Sequence, residues 1–199
     1  MKKSAFTLIE LIIVIIVAGI LAAVMIPSME RDSLREATNQ VVRHIQYTQH
    51  LAMVDDVYDA SKVSWQKSLW AIHFRQTNNC YAVASDVDLS GQFSPAETAT
   101  DPTTNELLYS DSFCTKTIGE QSNLLLEDKY NTTVRVSNGC GASYIAFDNL
   151  GRPLKTFNIT DPIKSTSACL ITLTSGTRNA VITIEPETGF AHLTSFDSI

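Results

Sequence analysis

Met1-Lys2-Lys3-Ser4-Ala5-Phe6-Thr7-Leu8-Ile9-Glu10, followed by the uncharged apolar run Leu11–Ile26, decides how this chain is built. Two lysines stand in a leader of five residues, too brief for an ordinary secretory signal, whose apolar region precedes its cleavage site. Here the small residue Ala5 comes first and the apolar run follows. A cut between Ala5 and Phe6 therefore leaves a mature chain that starts at Phe6 and keeps its greasy segment. Phe6 to Ile26 is 21 residues, about 32 Å of helix at roughly 1.5 Å per residue, enough to span a bilayer core. Lys2 and Lys3 would hold that end in the cytoplasm. Glu10 is the anomaly. A carboxylate near the end of a membrane helix costs a few kcal/mol unless it is paired or close to the interface, so it is a functional candidate. The plainer reading is that it marks the membrane boundary.

Working outward, the pattern changes after Pro27. Leu34, Ala37, Val41, Ile45, Thr48 and Ala52 recur at three- and four-residue spacing, an amphipathic helix with one apolar stripe, and Arg31, Asp32, Arg35, Glu36, Gln40, Arg43 and Gln46 supply the polar positions. Pro27 removes one backbone hydrogen bond and can bend the helix where its two parts join. Beyond Asp55 the helical period fades into short alternating segments. Ser68–Phe74, Cys80–Ser85, Thr133–Ser137, Ser143–Asp148, Cys169–Thr174 and Ala180–Glu185 read as strands, with Phe190–Thr194 as a candidate last one. Asn138-Gly139, Asn149-Leu150-Gly151 and Glu187-Thr188-Gly189 supply turns, and Asp86–Gln121 reads as a polar inserted loop. The expected division is a leader at 1–5, a membrane or filament-core helix at 6–26, its amphipathic continuation at 27–54, and a β-rich periplasmic head at 55–199. The expected fold class is α+β, a long N-terminal helix packed on an antiparallel sheet.

The 199 residues carry a formal charge of −6, which argues against a general phosphate-binding surface, since such surfaces need clustered Lys and Arg. Four cysteines, Cys80, Cys114, Cys140 and Cys169, all follow the apolar segment. An even number in an exported domain favours two disulfides, and no pair has the C-x-x-C spacing of a zinc or redox site. Spacing leaves three pairings open. Cys80–Cys114 with Cys140–Cys169 is the preferred one, because the first closes the polar insertion and the second ties the strands around the next loop.

The leader with Phe6, Thr7, Leu8 and Glu10 resembles the prepilin signature of type IV pilins and pseudopilins. That resemblance implies a prepilin peptidase that cuts before Phe6 and methylates its new amine, and a Glu10 that pairs with the N-terminus of a neighbouring subunit during assembly. Ala5 departs from the commoner Gly before the cut, and Pro27 falls where many pilins carry a helix-bending proline. The head narrows the likeness. Trp70-Ala71-Ile72-His73-Phe74, Asp86-Val87-Asp88, Glu106-Leu107-Leu108, Phe147-Asp148-Asn149-Leu150-Gly151-Arg152 and Ile182-Thr183-Ile184-Glu185-Pro186-Glu187-Thr188-Gly189 resemble the GspH/FimT group. That group holds minor pseudopilins of type II secretion and minor subunits of type IV pili. It implies a type IV pilin fold, a single-pass inner-membrane precursor with a periplasmic head, passage into a filament, and other pilin or pseudopilin subunits as partners. Two rival roles remain: DNA capture of the FimT kind, and a major or adhesive pilin. DNA capture needs a cationic patch, whereas Phe190–Ile199 contains no Lys or Arg, and loss of Lys2 and Lys3 takes the formal charge from −6 to −8.

One head segment carries a recognisable ligand spacing. In Asp86-Val87-Asp88-Leu89-Ser90-Gly91-Gln92-Phe93-Ser94-Pro95-Ala96-Glu97, oxygen side chains fall at loop positions one, three, five, nine and twelve, with Gly91 at six and Phe93 at eight. That is the order of an EF-hand-type calcium loop, and Asp86, Asp88, Ser90, Gln92, Ser94 and Glu97 are its candidate ligands. Two features depart from it: the preceding segment reads as a strand, and Pro95 restricts the backbone. A plain solvated turn fits as well. No other cofactor is expected. Catalysis is not expected either, because no nucleophile elbow, metal-type His pair or phosphate loop is present. His44 and His50 do not share a helical face and His73 and His192 are isolated, so all four read as surface or packing residues. Trp65 and Trp70 read as core or interface aromatics.

Overall fold

The computed structural model describes residues 7–25, 32–55, 57–115, 122–156 and 162–197. The chain divides after Asp32 into two compact units, which are treated separately. The leader, the Ala5–Phe6 junction and Pro27 lie outside the described residues. In the first unit, helix α1 covers Leu8–Met25.

The second unit is organised on helix α2, Ser33–Val54. Its buried side chains are Leu34, Ala37, Val41, Ile45 and Ala52 from the apolar stripe, together with Thr38, Gln40, His44 and Thr48. The two threonines remain on the buried face because each hydroxyl donates to the carbonyl four residues back, Thr38 to Leu34 and Thr48 to His44, both at 2.7 Å. The described residues of this unit also form nine strands: β1 Ala71–Arg75, β2 Cys80–Ala84, β3 Thr133–Asn138, β4 Tyr144–Phe147, β5 Pro153–Thr156, β6 Ile163–Lys164, β7 Cys169–Ser175, β8 Arg178–Ile184 and β9 Ala191–Phe196. Helix α2 packs against β1, β4, β7, β8 and β9. Phe74, Tyr81, Ile145, Phe147, Ile171 and Ile182 close one core with Leu34 and Ile45.

Instead of one sheet there are two, both antiparallel, in the orders β2-β1-β4-β5-β6 and β3-β7-β8-β9. The reason lies at β3. It pairs with β7 on one side, and its other edge is closed by side chains: the Val134 and Val136 amides donate to Asn79 Oδ1 and Gln76 Oε1, each at 3.0 Å. Asn79 and Gln76 come from the turn between β1 and β2, so the hairpin of one sheet stops the other from growing. Gln49 of α2 pins two turns at once, its amide donating to the Gly151 and Thr188 carbonyls at 2.8 Å. Those turns approach so closely that a Cβ on Gly189, whose φ is +66°, would lie 2.0 Å from the Gly151 oxygen.

Three sequence expectations need correction. The strand expected at Ser68–Phe74 begins only at Ala71, because Trp65–Ser68 forms a 3-10 turn. Strands β5 and β6 and the short helix α3, Leu126–Tyr130, have no counterpart in the reading of periodicity, being too short to show a period. Asp86–Gln121 is not simply an inserted loop. Ala99 and Leu108 pair through the backbone with Val83 of β2, and Leu108 and Ser110 are buried. Disulfides join Cys80 to Cys114 and Cys140 to Cys169, with Cα separations of 5.8 and 4.9 Å.

Ile45 has no solvent exposure at the centre of the stripe. Ile45→Ala is expected to destabilise the second unit by about 2–5 kcal/mol in denaturant unfolding with the disulfides intact. A loss under about 0.5 kcal/mol, the usual scale of surface substitutions, would show that the stripe does not hold the core.

Candidate functional site

Helix α1 starts with a reciprocal cap. The Thr7 amide and hydroxyl both donate to Glu10 Oε2, at 3.2 and 3.1 Å, and the Glu10 amide donates back to Thr7 Oγ1 at 3.4 Å. A carboxylate at this place satisfies first-turn amides and faces the positive end of the helix dipole. After Glu10 the helix carries no charge. Leu8, Ile9, Leu11, Ile12, Ile13 and Val14 are all exposed, and residues so closely spaced point in every direction around a 3.6-residue turn. Such a helix needs cover from lipid or from other helices. Among the described residues no helix is long and apolar enough to cross a membrane; the 18 residues of α1 rise ~27 Å, just short of a ~30 Å hydrocarbon core.

In the second unit, the loop after β2 draws its acidic side chains inward. Asp86 accepts from the Ser90 amide at 2.9 Å and the Gly91 amide at 2.8 Å, and Asp88 also accepts from Ser90 at 2.9 Å. Gly91 takes φ +80°, which a side chain would resist. Pro95 opens a single 3-10 turn, Pro95–Glu97, that swings Glu97 back over the loop. There Glu97 accepts from the Asp88 amide at 3.1 Å and from the Ser94 amide and hydroxyl at 2.9 and 3.1 Å. As a result Asp86, Asp88 and Glu97 each place one carboxylate oxygen within 4.8 Å of the others. The side chains of Ser90, Gln92 and Ser94 donate to Gln92 O, Gly91 O and Glu97 respectively. Burial pushes the Asp86 carboxyl up, and hydrogen bonds from Ser90 hold Asp88 down. Phe93 ties the loop to β1, its ring 4.8 Å from that of His73 and 5.2 Å from the Arg75 guanidinium.

The comparisons with known proteins bear on the first site. Residues 1–26 match the family described as the prokaryotic N-terminal methylation motif. The chain is type IV pilin-like. The motif implies processing by a prepilin peptidase, a membrane-anchored precursor, and assembly with other pilin subunits in a filament. No curated protein and no solved structure matches the chain.

The head of this pilin-like chain also holds a polar cluster that the sequence reading missed. His44 lies buried on α2, with Nδ1 2.8 Å from the Tyr81 hydroxyl and Nε2 3.3 Å from Asp101 Oδ2. The available signal was position, since His44 sits three residues after Val41 on the apolar stripe, where a polar side chain needs a partner. Trp70 donates from its indole to Asp55 at 2.8 Å, and Trp65 packs edge-on against Tyr58 with ring centroids 5.1 Å apart.

Two of the histidines set a pH dependence. Burial, helped by the Arg75 charge, pulls His73 down to about 4. Burial also lowers His44, against the opposing pull of Asp101. The fold favours the neutral form of both rings, so their contribution to stability is complete above the unfolded value of ~6.5 and is lost as pH falls below it. The full chain in detergent micelles is expected to melt lower at pH 5 than at pH 7, and His73→Gln to flatten that difference. A variant whose melting temperature still falls as steeply as wild type over that range would remove His73 from the account.

Proposed function

We propose that this chain is a structural minor subunit, of the GspH/FimT kind, in a type II secretion pseudopilus or a type IV pilus. Its mechanism is assembly, not chemistry. The observation that carries the reading is Glu10, a lone carboxylate at the start of a helix that is apolar all round and lies within the matched methylation motif. Cleavage between Ala5 and Phe6 would expose the Phe6 amine for methylation and leave the mature chain anchored by one pass through the inner membrane. When apolar helices pack together, an unpaired carboxylate among them costs several kcal/mol, and a neighbour's N-terminal amine removes that cost. Glu10 therefore acts as the countercharge that admits a subunit in the correct axial position.

Glu10→Ala is expected to leave processing intact, read as the mass of the mature chain, and to cut incorporation into sheared filaments by about tenfold or more, the ratio that ~1.4 kcal/mol supports. Normal incorporation would sink the mechanism. The acidic balance of the chain disfavours DNA capture. A salt-dependent gel shift would revive it, and high abundance in sheared filaments would favour a major or adhesive pilin instead.

A second reading concerns Asp86, Asp88 and Glu97. Ligands on one calcium ion at ~2.4 Å lie at most ~4.8 Å apart, and these three carboxylates meet that limit. In this reading calcium replaces part of their hydrogen bonding to the loop amides and fixes the loop. Millimolar calcium is then expected to raise the melting temperature of the full chain in detergent, and Glu97→Gln to abolish the rise. An unchanged melting temperature would return the loop to a self-capped turn.

A further inference from the structure

The buried cluster at His44 contains a contradiction in hydrogen-bond chemistry. A neutral imidazole offers one donor and one acceptor, one at each nitrogen. Nδ1 meets the Tyr81 hydroxyl, which can serve either role. Nε2 meets two groups at once: Gln40 Nε2 at 2.9 Å and Asp101 Oδ2 at 3.3 Å. The first is an amide that only donates, and the second is a carboxylate that only accepts. Gln40 cannot escape by turning its amide over, because Arg43 donates to its Oε1 and fixes which end faces the ring. No single protonation state of Nε2 satisfies both neighbours.

We propose that His44 Nε2 is a proton-driven switch. In its neutral form it accepts from Gln40 of its own helix, and in its protonated form it donates to Asp101 and fastens the 101–106 turn to α2. Nδ1 keeps its proton and its contact with Tyr81 in both states, so one proton changes one partner. Asp101 is well placed to pass this on. Its other oxygen, Oδ1, accepts from the Thr103 amide at 2.7 Å, while its backbone closes the turn through Asp101 N to Glu106 O at 2.9 Å and Asn105 N to Asp101 O at 2.8 Å. In the neutral state, the tie between this segment and α2 includes Tyr47, whose hydroxyl donates to Thr100 O at 2.9 Å. Protonation adds a charged tie one residue further on.

Among the described residues, titratable groups face the ring from several elements. Arg43 and Tyr47 come from α2, Tyr81 from β2 and Asp101 from the turn, with Tyr130 of α3 acting on Tyr81 and Glu36 of α2 acting in turn on Tyr130. Of these, only Asp101 brings an anion to His44 at hydrogen-bonding distance. A cavity of about 240 Å³ lined by Gln40, Arg43, His44, Tyr47, Asp101 and Thr103 gives protons a route to the pair. This inference does not depend on the filament reading.

The test is ring nitrogen spectroscopy on the full chain in detergent micelles, labelled with 15N at histidine. At pH 8, His44 is expected to show a protonated Nδ1 and a bare Nε2. On acidification it should gain the second proton. Asp101→Asn removes the acceptor of the charged form and is expected to lower the His44 midpoint by about one pH unit. Gln40→Met removes the donor to the neutral form at similar volume and is expected to raise it. A bare Nδ1 with a protonated Nε2 in the wild-type chain at pH 8 would overturn the proposal without any variant. So would a midpoint that both substitutions move in the same direction, or that either leaves in place.

Discussion

Helix α2 has to bury one stripe, and the arrangement of the head follows from that requirement. Leu34, Ala37, Val41, Ile45 and Ala52 stand at the spacing that puts them in one line, and each large apolar side chain contributes roughly 1.5–3 kcal/mol when it leaves water. Two sheets share the task of covering the line, with β1 and β4 from one and β7, β8 and β9 from the other. The same line carries Gln40, His44 and Thr48, which cannot follow the apolar residues into the core without partners. Thr48 finds one in its own helix. Gln40 and His44 find theirs in Arg43, Tyr81 and Asp101, drawing the 99–110 segment down onto the helix.

The two units solve opposite problems. Among its described residues the head closes on itself: one large core draws on α2 and both sheets, one sheet edge is capped by Asn79 and Gln76, and two disulfides tie its longer connections. Helix α1 satisfies its backbone and the first turn through Thr7 and Glu10, yet leaves its apolar surface uncovered. A helix that needs cover fits the assembly with other pilin subunits that the matched motif implies. Glu10 belongs to the uncovered part, where a carboxylate left without a partner costs more than one on the surface of the head.

The Asp86–Glu97 loop illustrates how a ligand spacing is modified by its setting. The strand before it and the proline within it do not prevent three carboxylates from converging. Pro95 contributes, because its fixed φ starts the 3-10 turn that returns Glu97 to Asp88. The Ser90 hydroxyl and the Gln92 amide, at positions the spacing also offered, donate to carbonyls of the loop itself.

The prepilin-like N-terminus, the stripe on α2, the even cysteine number and seven of the nine described strands could be read from the residues, because each is local: a run, a period or a short alternation repeats within the reach of one element. The split into two sheets could not. It depends on Gln76 and Asn79 meeting the edge of β3 some sixty residues later, and no pattern along the chain encodes that meeting. The disulfide pairs were likewise open until the strands were in place. The His44 cluster shows the division most clearly. Sequence placed a histidine on an apolar stripe; only the fold brought Asp101, 57 residues away, to the same nitrogen that Gln40 already faced, since side-chain partners across a core are set by packing and not by spacing.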